Sequence, residues 1–467
     1  MSGRGWALPG GVVGFALVVL LAQAQPGYAQ LEALPGLNTA QLAMGVAIDK
    51  SCPNIATAAP GSALATICGD MVGSAYARLG NSPPAGTTDI GLTIPQLTAA
   101  LQQVNGGAVT LVPTNQVSQL RTAQVQVLGA RLTALRTRML GSADDASGTV
   151  RLAANDTGSV LDTSRFQVAQ ASPTEASIWS GKLGLFGNLM GQFGSRDPTA
   201  TQSGFSFNTE GILLGADYRF TPSLALGMAF GYNYTSSDFD TDANSASGQY
   251  VHANLYQFNF YGTYSATDAL YLDGLVSFGV GDNDARRHII IPTVADVFAN
   301  GNFDTQTVGV SLGGGYNFPF GSLTLTPTAR FEYHYARSDR FTESGADGLD
   351  LTYGSAIERA VLTFLGGQAS YAISTDFGVL SPSVRANWAH QYNDGRNSMS
   401  IAFVNDPTLT SAFGMPGDAA DRNYFQLGIG LAAQFAGNKS AFINYDALVG
   451  LNKTSYNTFT AGVRIDF

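Results

Sequence analysis

One stretch of the chain has the residue types and spacing of a catalytic nucleophile. Gly309-Val310-Ser311-Leu312-Gly313 matches the Gly-x-Ser-x-Gly elbow, in which the serine sits on a sharp turn between a strand and a helix. Here Ser311 stands inside 308–316, where small and apolar residues alternate as they do in a strand. We therefore interpret the motif as part of a glycine-rich strand and predict no catalytic residue there.

A second stretch spaces oxygen ligands like the start of a calcium-binding loop. Asp238, Asp240, Asp242 and Asn244 occur at every second position, but the glycine at the sixth position and the glutamate at the twelfth are missing. The histidines stand singly on separate segments, at His252, His288, His334 and His390. Histidine acts as a base or ligand only beside a placed partner. We predict no metal, no cofactor and no enzymatic activity.

The first 29 residues have the pattern of a secretory signal peptide. Arg4 precedes an apolar run over 12–21, and small residues follow in Ala22-Gln23-Ala24 and Gly27-Tyr28-Ala29. Cleavage after Ala24 and cleavage after Ala29 both remain open. Export would bring the two cysteines, Cys52 and Cys68, into an oxidising compartment, so we predict that they form a disulfide.

Composition narrows the class of protein further. The 467 residues carry a net charge of −10, only 12% are charged, 45% are hydrophobic and 55 are glycine. The negative charge argues against nucleic acid as a partner, and the low charge density is unusual for a soluble surface. No internal run approaches the ~20 apolar residues of a membrane-spanning helix. If the chain crosses a membrane, it must do so with strands.

Two regions follow the signal sequence. Residues 30–141 are predicted to be mainly helical, with helices over 94–104 and 116–140. Residues 142–177 have the composition of a flexible linker. From 178 to 467 the period changes to two. The alternating segments are 179–194, 205–220, 223–239, 248–266, 269–287, 303–319, 322–340, 357–374, 377–404, 421–436, 439–452 and 456–467.

These segments predict an all-β fold, an antiparallel transmembrane β-barrel of about twelve strands. Each is long enough for the ~9–11 residues that a tilted strand needs to cross a bilayer. Short junctions alternate with long polar ones over 236–248, 283–303, 340–356 and 405–422. A soluble sandwich or propeller is the alternative, but we find no fixed repeat. The polar face carries the charges that we expect to line the lumen: Asp217, Arg219, Arg330, Glu332, Arg385, Asp446, Arg464 and Asp466.

The last segment, FTAGVRIDF, separates its residues cleanly onto two faces. Val463, Ile465 and Phe467 are apolar, whereas Arg464 and Asp466 belong to the polar face. We expect the first three to face lipid, with the strand pairing back to the first one.

Several stretches resemble the β-domain of bacterial autotransporters. They are LGLFGNLMGQFGSRD, GILLGADYRFTPSLALGMAFGYNYTSSDF with its Gly-x-Asp-Tyr-x-aromatic element, SPSVRANWAHQYND and the terminal AGVRIDF. The resemblance implies a barrel of type V secretion in the outer membrane of a Gram-negative bacterium. It also implies that Val463, Ile465 and Phe467 form the signal read by the barrel-assembly machinery, which inserts the barrel. Periplasmic chaperones, outer-membrane lipid and lipopolysaccharide are the other partners that it implies. A surface ligand stays unidentified.

The short N-terminal region departs from the long passengers usual in that family. We expect the barrel to translocate or display it. The alternative is an outer-membrane porin, adhesin or barrel-rim enzyme whose N-terminal region stays in the periplasm. The helix over 116–140 is either a plug threaded through the pore, its arginines facing lumen carboxylates, or part of a small domain outside it.

Overall fold

The computed structural model describes residues 30–106, 182–242, 244–393, 398–436 and 438–467. The predicted signal sequence, the helix predicted over 116–140 and the linker predicted over 142–177 lie outside these residues. Within the described ranges, no helix is long and apolar enough to span a membrane.

Strands dominate the described part of the chain from Leu183 onward. In chain order they are β1 (Leu183–Arg196), β2 (Phe205–Thr221), β3 (Leu224–Phe239), β4 (Tyr250–Ser265), β5 (Leu270–Ile291), β6 (Ala295–Tyr316), β7 (Phe318–Phe320), β8 (Leu323–Ser338), β9 (Phe341–Thr342), β10 (Leu351–Tyr353), β11 (Ala356–Tyr371), β12 (Ile373–Thr375), β13 (Gly378–Gln391), β14 (Ser398–Phe403), β15 (Phe413–Pro416), β16 (Asn423–Phe435), β17 (Lys439–Val449) and β18 (Thr454–Asp466).

Twelve of the described strands close into an antiparallel barrel. They are β1 to β6, β8, β11, β13 and β16 to β18, and each is hydrogen-bonded to its neighbours on both sides. Closure comes from β18, which pairs with β1 from Gly184↔Asp466 to Arg196↔Thr454. The predicted fold is therefore confirmed. A closed sheet leaves no unpaired edge, and this is the condition for placing strands in hydrocarbon.

Side-chain burial follows the predicted period of two. In β3, Met228 is 61% exposed and its neighbour Ala229 is 4% exposed. Val463 in β18 is also largely exposed, whereas Thr460 is buried. Successive side chains of a strand point to opposite faces. In a closed barrel the exposed apolar set therefore faces lipid, and the buried polar set faces the lumen.

The two ends of the barrel differ. The connections after β2, β4, β7, β12 and β16 are short turns, and the chain end at Phe467 lies at the same end. Longer segments leave the opposite end, which we call the mouth. Short turns are periplasmic and long loops extracellular in outer-membrane barrels.

Two of the sequence predictions at the mouth are wrong. The loop expected over 283–303 is a hairpin, since β5 runs to Ile291 and β6 begins at Ala295. The strands continue past the membrane because Ala285, Ile289 and Ile291 find a buried core there. The single segment expected over 377–404 is interrupted between β13 and β14. β14 joins β15, β10 and β9 in a separate four-stranded sheet.

Residues 30–106 form a helical unit with α1 (Thr39–Ala58), α2 (Ala63–Arg78) and α3 (Ile94–Val104). The bounds of α3 agree with the prediction. Its first turn has a Thr93–Gln96 capping box and a proline, which together satisfy free amide groups and fix the backbone. Cys52 and Cys68 form the predicted disulfide, which joins α1 to α2 across a Cα–Cα distance of 5.8 Å.

Candidate functional site: the barrel mouth and its helical cap

The helical unit packs directly on the mouth of the barrel. One continuous buried core contains Met44 and Leu97 of the helices together with Ile289 of β5 and Ile401 of β14. Because the unit covers the ends of the strands and the four-stranded sheet, we call residues 30–106 the cap. Burial of apolar side chains from both parts stabilises the contact by removing them from water.

A buried arginine joins the barrel to the last turn of α3. Arg287 of β5 is 1% exposed. Its Nη1 donates to the main-chain oxygens of Gln103 at 2.8 Å and Val104 at 3.2 Å. The last carbonyl groups of a helix lack partners within the helix and carry partial negative charge, so a cation there is favourable.

Glu343 neutralises this arginine. Its carboxylate accepts from Arg287 Nε at 3.1 Å and Nη2 at 2.6 Å. It also accepts from the Leu351 amide at 2.9 Å and the Tyr353 hydroxyl at 2.9 Å. Burial, reinforced by the Glu343 charge, raises the pKa of Tyr353 well above its usual value, so the hydroxyl remains a donor. A buried ion pair is stable when its remaining lone pairs and protons are satisfied in this way.

The two neighbours of Arg287 in the sequence point the other way. The guanidinium group of Arg286 lies 3.8 Å from the centroid of the Phe298 ring, and His288 Nε2 lies 2.7 Å from Asp296 Oδ1. The alternation of the extended strand separates the three basic residues. Only Arg287 contacts the cap, through the main-chain oxygens of Gln103 and Val104.

Further polar contacts fix the position of the cap. Gln103 Oε1 accepts from the Ile290 amide at 2.6 Å, and the Ala40 amide donates to the Ala200 oxygen at 3.1 Å. A loop glycine, Gly348, approaches α2 so closely that a Cβ there would lie 2.9 Å from the Leu64 nitrogen. The cap is thus attached along α1, α2 and α3.

The residues predicted to line the lumen lie on the buried or half-buried face of their strands. Three groups can be distinguished. Arg385 Nη2 lies 2.8 Å from Asp446 Oδ1. Glu332 contacts Arg330 Nε at 2.6 Å and His334 Nε2 at 2.8 Å. Near the short turns, Arg464 lies 3.5 Å from Asp217 and also contacts Asp466. Arg219 is half-buried on the same face as Asp217.

These pairs bear on the plug hypothesis. The carboxylates of Asp217, Asp446 and Asp466 are each engaged by an arginine of a barrel strand. Arginines of a threaded helix are therefore not needed to neutralise them. The helix predicted over 116–140 itself lies outside the described residues.

The serine motif lies in a barrel strand, and the acidic stretch begins in β3 at Asp238 and continues into the connection after it. Ser311 is buried within β6 and pairs across the sheet with Glu332 of β8. This is not the strand-to-helix turn that a nucleophile elbow requires. Throughout the described ranges, no group of three or more His, Cys, Asp or Glu side chains is arranged to hold a metal ion.

The described residues that flank 107–181 lie at opposite ends of the barrel. Gly106 lies at the mouth, where an added Cβ would meet the Tyr353 hydroxyl. Leu183 begins β1 at the short-turn end, and its oxygen accepts from the Phe467 amide at 2.9 Å. Gly106 and Leu183 are thus separated by the length of the barrel.

A closed twelve-stranded barrel with a lipid-facing apolar surface and an asymmetric pair of ends defines a transmembrane barrel protein. A family model, the autotransporter β-domain, matches residues 185–446, which is more than half of the chain. The chain belongs to this family. It is an outer-membrane barrel of a Gram-negative bacterium.

Similar proteins include outer membrane protein A of Rickettsia conorii, which is 26% identical over 276 residues, or 57% of this chain and 13% of that protein. An extracellular serine protease of Serratia marcescens is 24% identical over 241 residues, or 52% of this chain and 22% of the protease. The chain thus spans less than a quarter of either relative. The solved translocator domain of the autotransporter NalP from Neisseria meningitidis is 18% identical with a TM-score of 0.49, covering 62% of this chain and 89% of that domain.

The Arg287 site was missed by sequence reasoning. Arg287 lies in the stretch over 283–303 that the sequence predicts to be a polar loop, and Glu343 is not among the residues predicted to line the lumen. The useful signal was the apolar alternation around Arg287, in Ala285, Ile289 and Ile291, which predicts that the arginine points inward.

Proposed function

We propose that the barrel brings its own N-terminal region across the outer membrane and holds the cap on the extracellular mouth. The position of the cap carries this proposal. It packs on the long-loop end through Arg287 and a shared core, whereas β1 begins at the short-turn end. A chain delivered from the periplasm must cross the barrel to reach such a position.

The work of the barrel in this proposal is transport and display, not catalysis. Ser311 lies in a strand, and the lumen carboxylates of Asp217, Glu332, Asp446 and Asp466 each form an ion pair with an arginine of a barrel strand. The protease activity of the Serratia relative belongs to that protein, of which this chain covers only 22%. Activity assays with peptide substrates should therefore give no turnover by the purified barrel.

We also propose that lipopolysaccharide and the barrel-assembly machinery contact the exposed apolar belt and β18.

Cysteine accessibility on intact cells tests the proposal. Ala58 at the end of α1 is exposed, and Asp268 in the turn between β4 and β5 is its counterpart at the other end. A membrane-impermeant maleimide should label Ala58→Cys in intact cells and Asp268→Cys only after permeabilisation. Labelling of Ala58→Cys only after permeabilisation would instead favour a porin or rim enzyme with a periplasmic N-terminal region, and would reject display.

A further inference from the structure

Asp49 of α1 is a buried carboxylate without a full set of partners. It is 7% exposed, and its Oδ2 accepts from the Glu32 amide at 3.0 Å. Its Oδ1 is buried and has no hydrogen-bond donor in the described part of the chain. A buried carboxylate requires a cation, more donors or a proton to be stable.

Asp49 faces the turn that begins at Gln30, and hydrogen bonds and the burial of Leu31 hold this turn in place. Gln30 and Leu31 open a helical turn in which the Ala33 amide donates to the Gln30 oxygen at 3.2 Å. Leu31 is fully buried, and Asn81 Nδ2 donates to Gln30 Oε1 at 3.2 Å. Because the Glu32 amide two residues along the turn bonds to Asp49, the main-chain nitrogen of Gln30 also lies near the carboxylate.

While Gln30 is joined to a preceding residue, the turn has no positive charge to offset the buried carboxylate of Asp49. Burial raises the pKa of Asp49 to about 8, and the negative charge of Glu32 acts in the same direction. The nearby main-chain amides of Glu32, Leu31 and Gln30 lower the pKa, but not enough to offset burial. A positive charge at the Gln30 nitrogen would complete the site.

We propose that signal cleavage occurs between Ala29 and Gln30 and that the new α-ammonium group of Gln30 forms an ion pair with Asp49. Hydrolysis of the Ala29–Gln30 peptide bond by a signal peptidase consumes one water. It leaves a carboxylate on Ala29 and an amine on Gln30, which takes up a proton. Gly27-Tyr28-Ala29 has the small residues that such cleavage needs. The geometry thus chooses between the two cleavage positions that the sequence left open.

The ion pair forms only in the processed chain. The unprocessed chain has an uncharged amide at Gln30, so its first turn is held by hydrogen bonds alone. Processing therefore tightens the attachment of residues 30–34 to α1. The ion pair does not depend on whether the cap is displayed at the cell surface.

Mass spectrometry of the N-terminal peptide of the full chain, purified from outer membranes, is the first test. The mature protein should begin at Gln30 with a free amine. A start at another residue would overturn the proposal. A cyclised, uncharged pyroglutamate at Gln30 would overturn it as well, because no ammonium group would exist.

Hydrogen exchange of the same preparation tests the ion pair. Ala29→Leu should redirect cleavage to follow Ala24, leaving five extra residues and an intact Asp49. The exchange rates of the amides of residues 31–34, and of the turn of α1 that contains Asp49, should then rise about tenfold. Asp49→Asn should have the same effect. Asp70→Asn in α2, a carboxylate remote from Gln30, should leave these amides unchanged. Equal protection in the mature and Ala29→Leu proteins would overturn the ion pair even if Asp49→Asn failed to fold.

Discussion

Arg287 of the barrel lies 2.8 Å from the main-chain oxygen of Gln103, the second-last residue of α3. The two residues are 184 positions apart in the chain. One is on an extended barrel strand and the other is in the N-terminal helical region, so this hydrogen bond is one of the contacts that join the two parts at the mouth.

Arg287→Met should release the cap from the mouth. The change removes the donor to Gln103 and leaves Glu343 buried without its cation, which costs about 3–5 kcal/mol. Protease digestion of intact cells should then cleave residues 30–106 much faster than in the wild type. The heat-dependent gel shift of the folded barrel should remain.

Arg286→Met is the matched control, because Arg286 is the adjacent residue and stacks on Phe298 outside the core. It should leave the cap resistant to protease. Similar cleavage of both variants would contradict the role assigned to Arg287.

Adjacent residues of β18 should differ sharply in their tolerance of a charge. Ala461 is on the exposed face and Thr460 is buried toward the lumen. Ala461→Asp places a carboxylate in lipid at a cost on the order of 2 kcal/mol, so the amount of heat-modifiable barrel in outer membranes should fall. Thr460→Asp should assemble nearly normally. Equal losses would argue against the assignment of the two faces.

The disulfide should stabilise the cap without affecting the barrel. Cys52 and Cys68 are separated by 16 residues, and closing a loop of that size stabilises a fold by about 3 kcal/mol. Cys52→Ser with Cys68→Ser should lower the urea concentration at which α1 and α2 lose exchange protection. The strands of the barrel should keep their protection, and a parallel loss there would show that the two parts unfold together.

A chain that retains residues ahead of Gln30 should have a pH-dependent cap. The pKa of Asp49 is about 8 in the folded chain and about 4 when unfolded. Between these values the unfolded chain has lost a proton that the folded chain keeps. The added stability is therefore complete below pH ~4 and is lost as the pH rises to ~8.

Exchange protection of α1 at pH 5, 6, 7 and 8, corrected for intrinsic exchange, measures this effect. The Ala29→Leu protein should lose protection along the series, and the same protein carrying Asp49→Asn should show a flat profile. A flat profile for both would mean that Asp49 is ionised throughout.

Much of the barrel could be predicted from local pattern. The two faces of β3 and β18 follow from alternation alone, because a strand in a closed sheet between lipid and lumen has one environment on each side. The disulfide between Cys52 and Cys68 also needed only an export signal and two cysteines. The bounds of α3 followed from its capping residues and proline.

The helices α1 and α2 were covered only by the general prediction of a helical region. Pro53 lies inside α1, and both helices bury residues around much of their circumference. Their sequences therefore lack the single apolar stripe that identifies a surface helix.

The sequence by itself determined that this chain forms a lipid-facing barrel, since that depends on which residue types alternate along each strand. Only the tertiary structure decided what covers the mouth. Arg287 meets Gln103, Val104 and Glu343 because a sheet extension, a helix end and a loop converge in space. Gln30 meets Asp49 by the same kind of packing. Contacts of this kind join residues distant in the chain through a shared core, and no local periodicity records them.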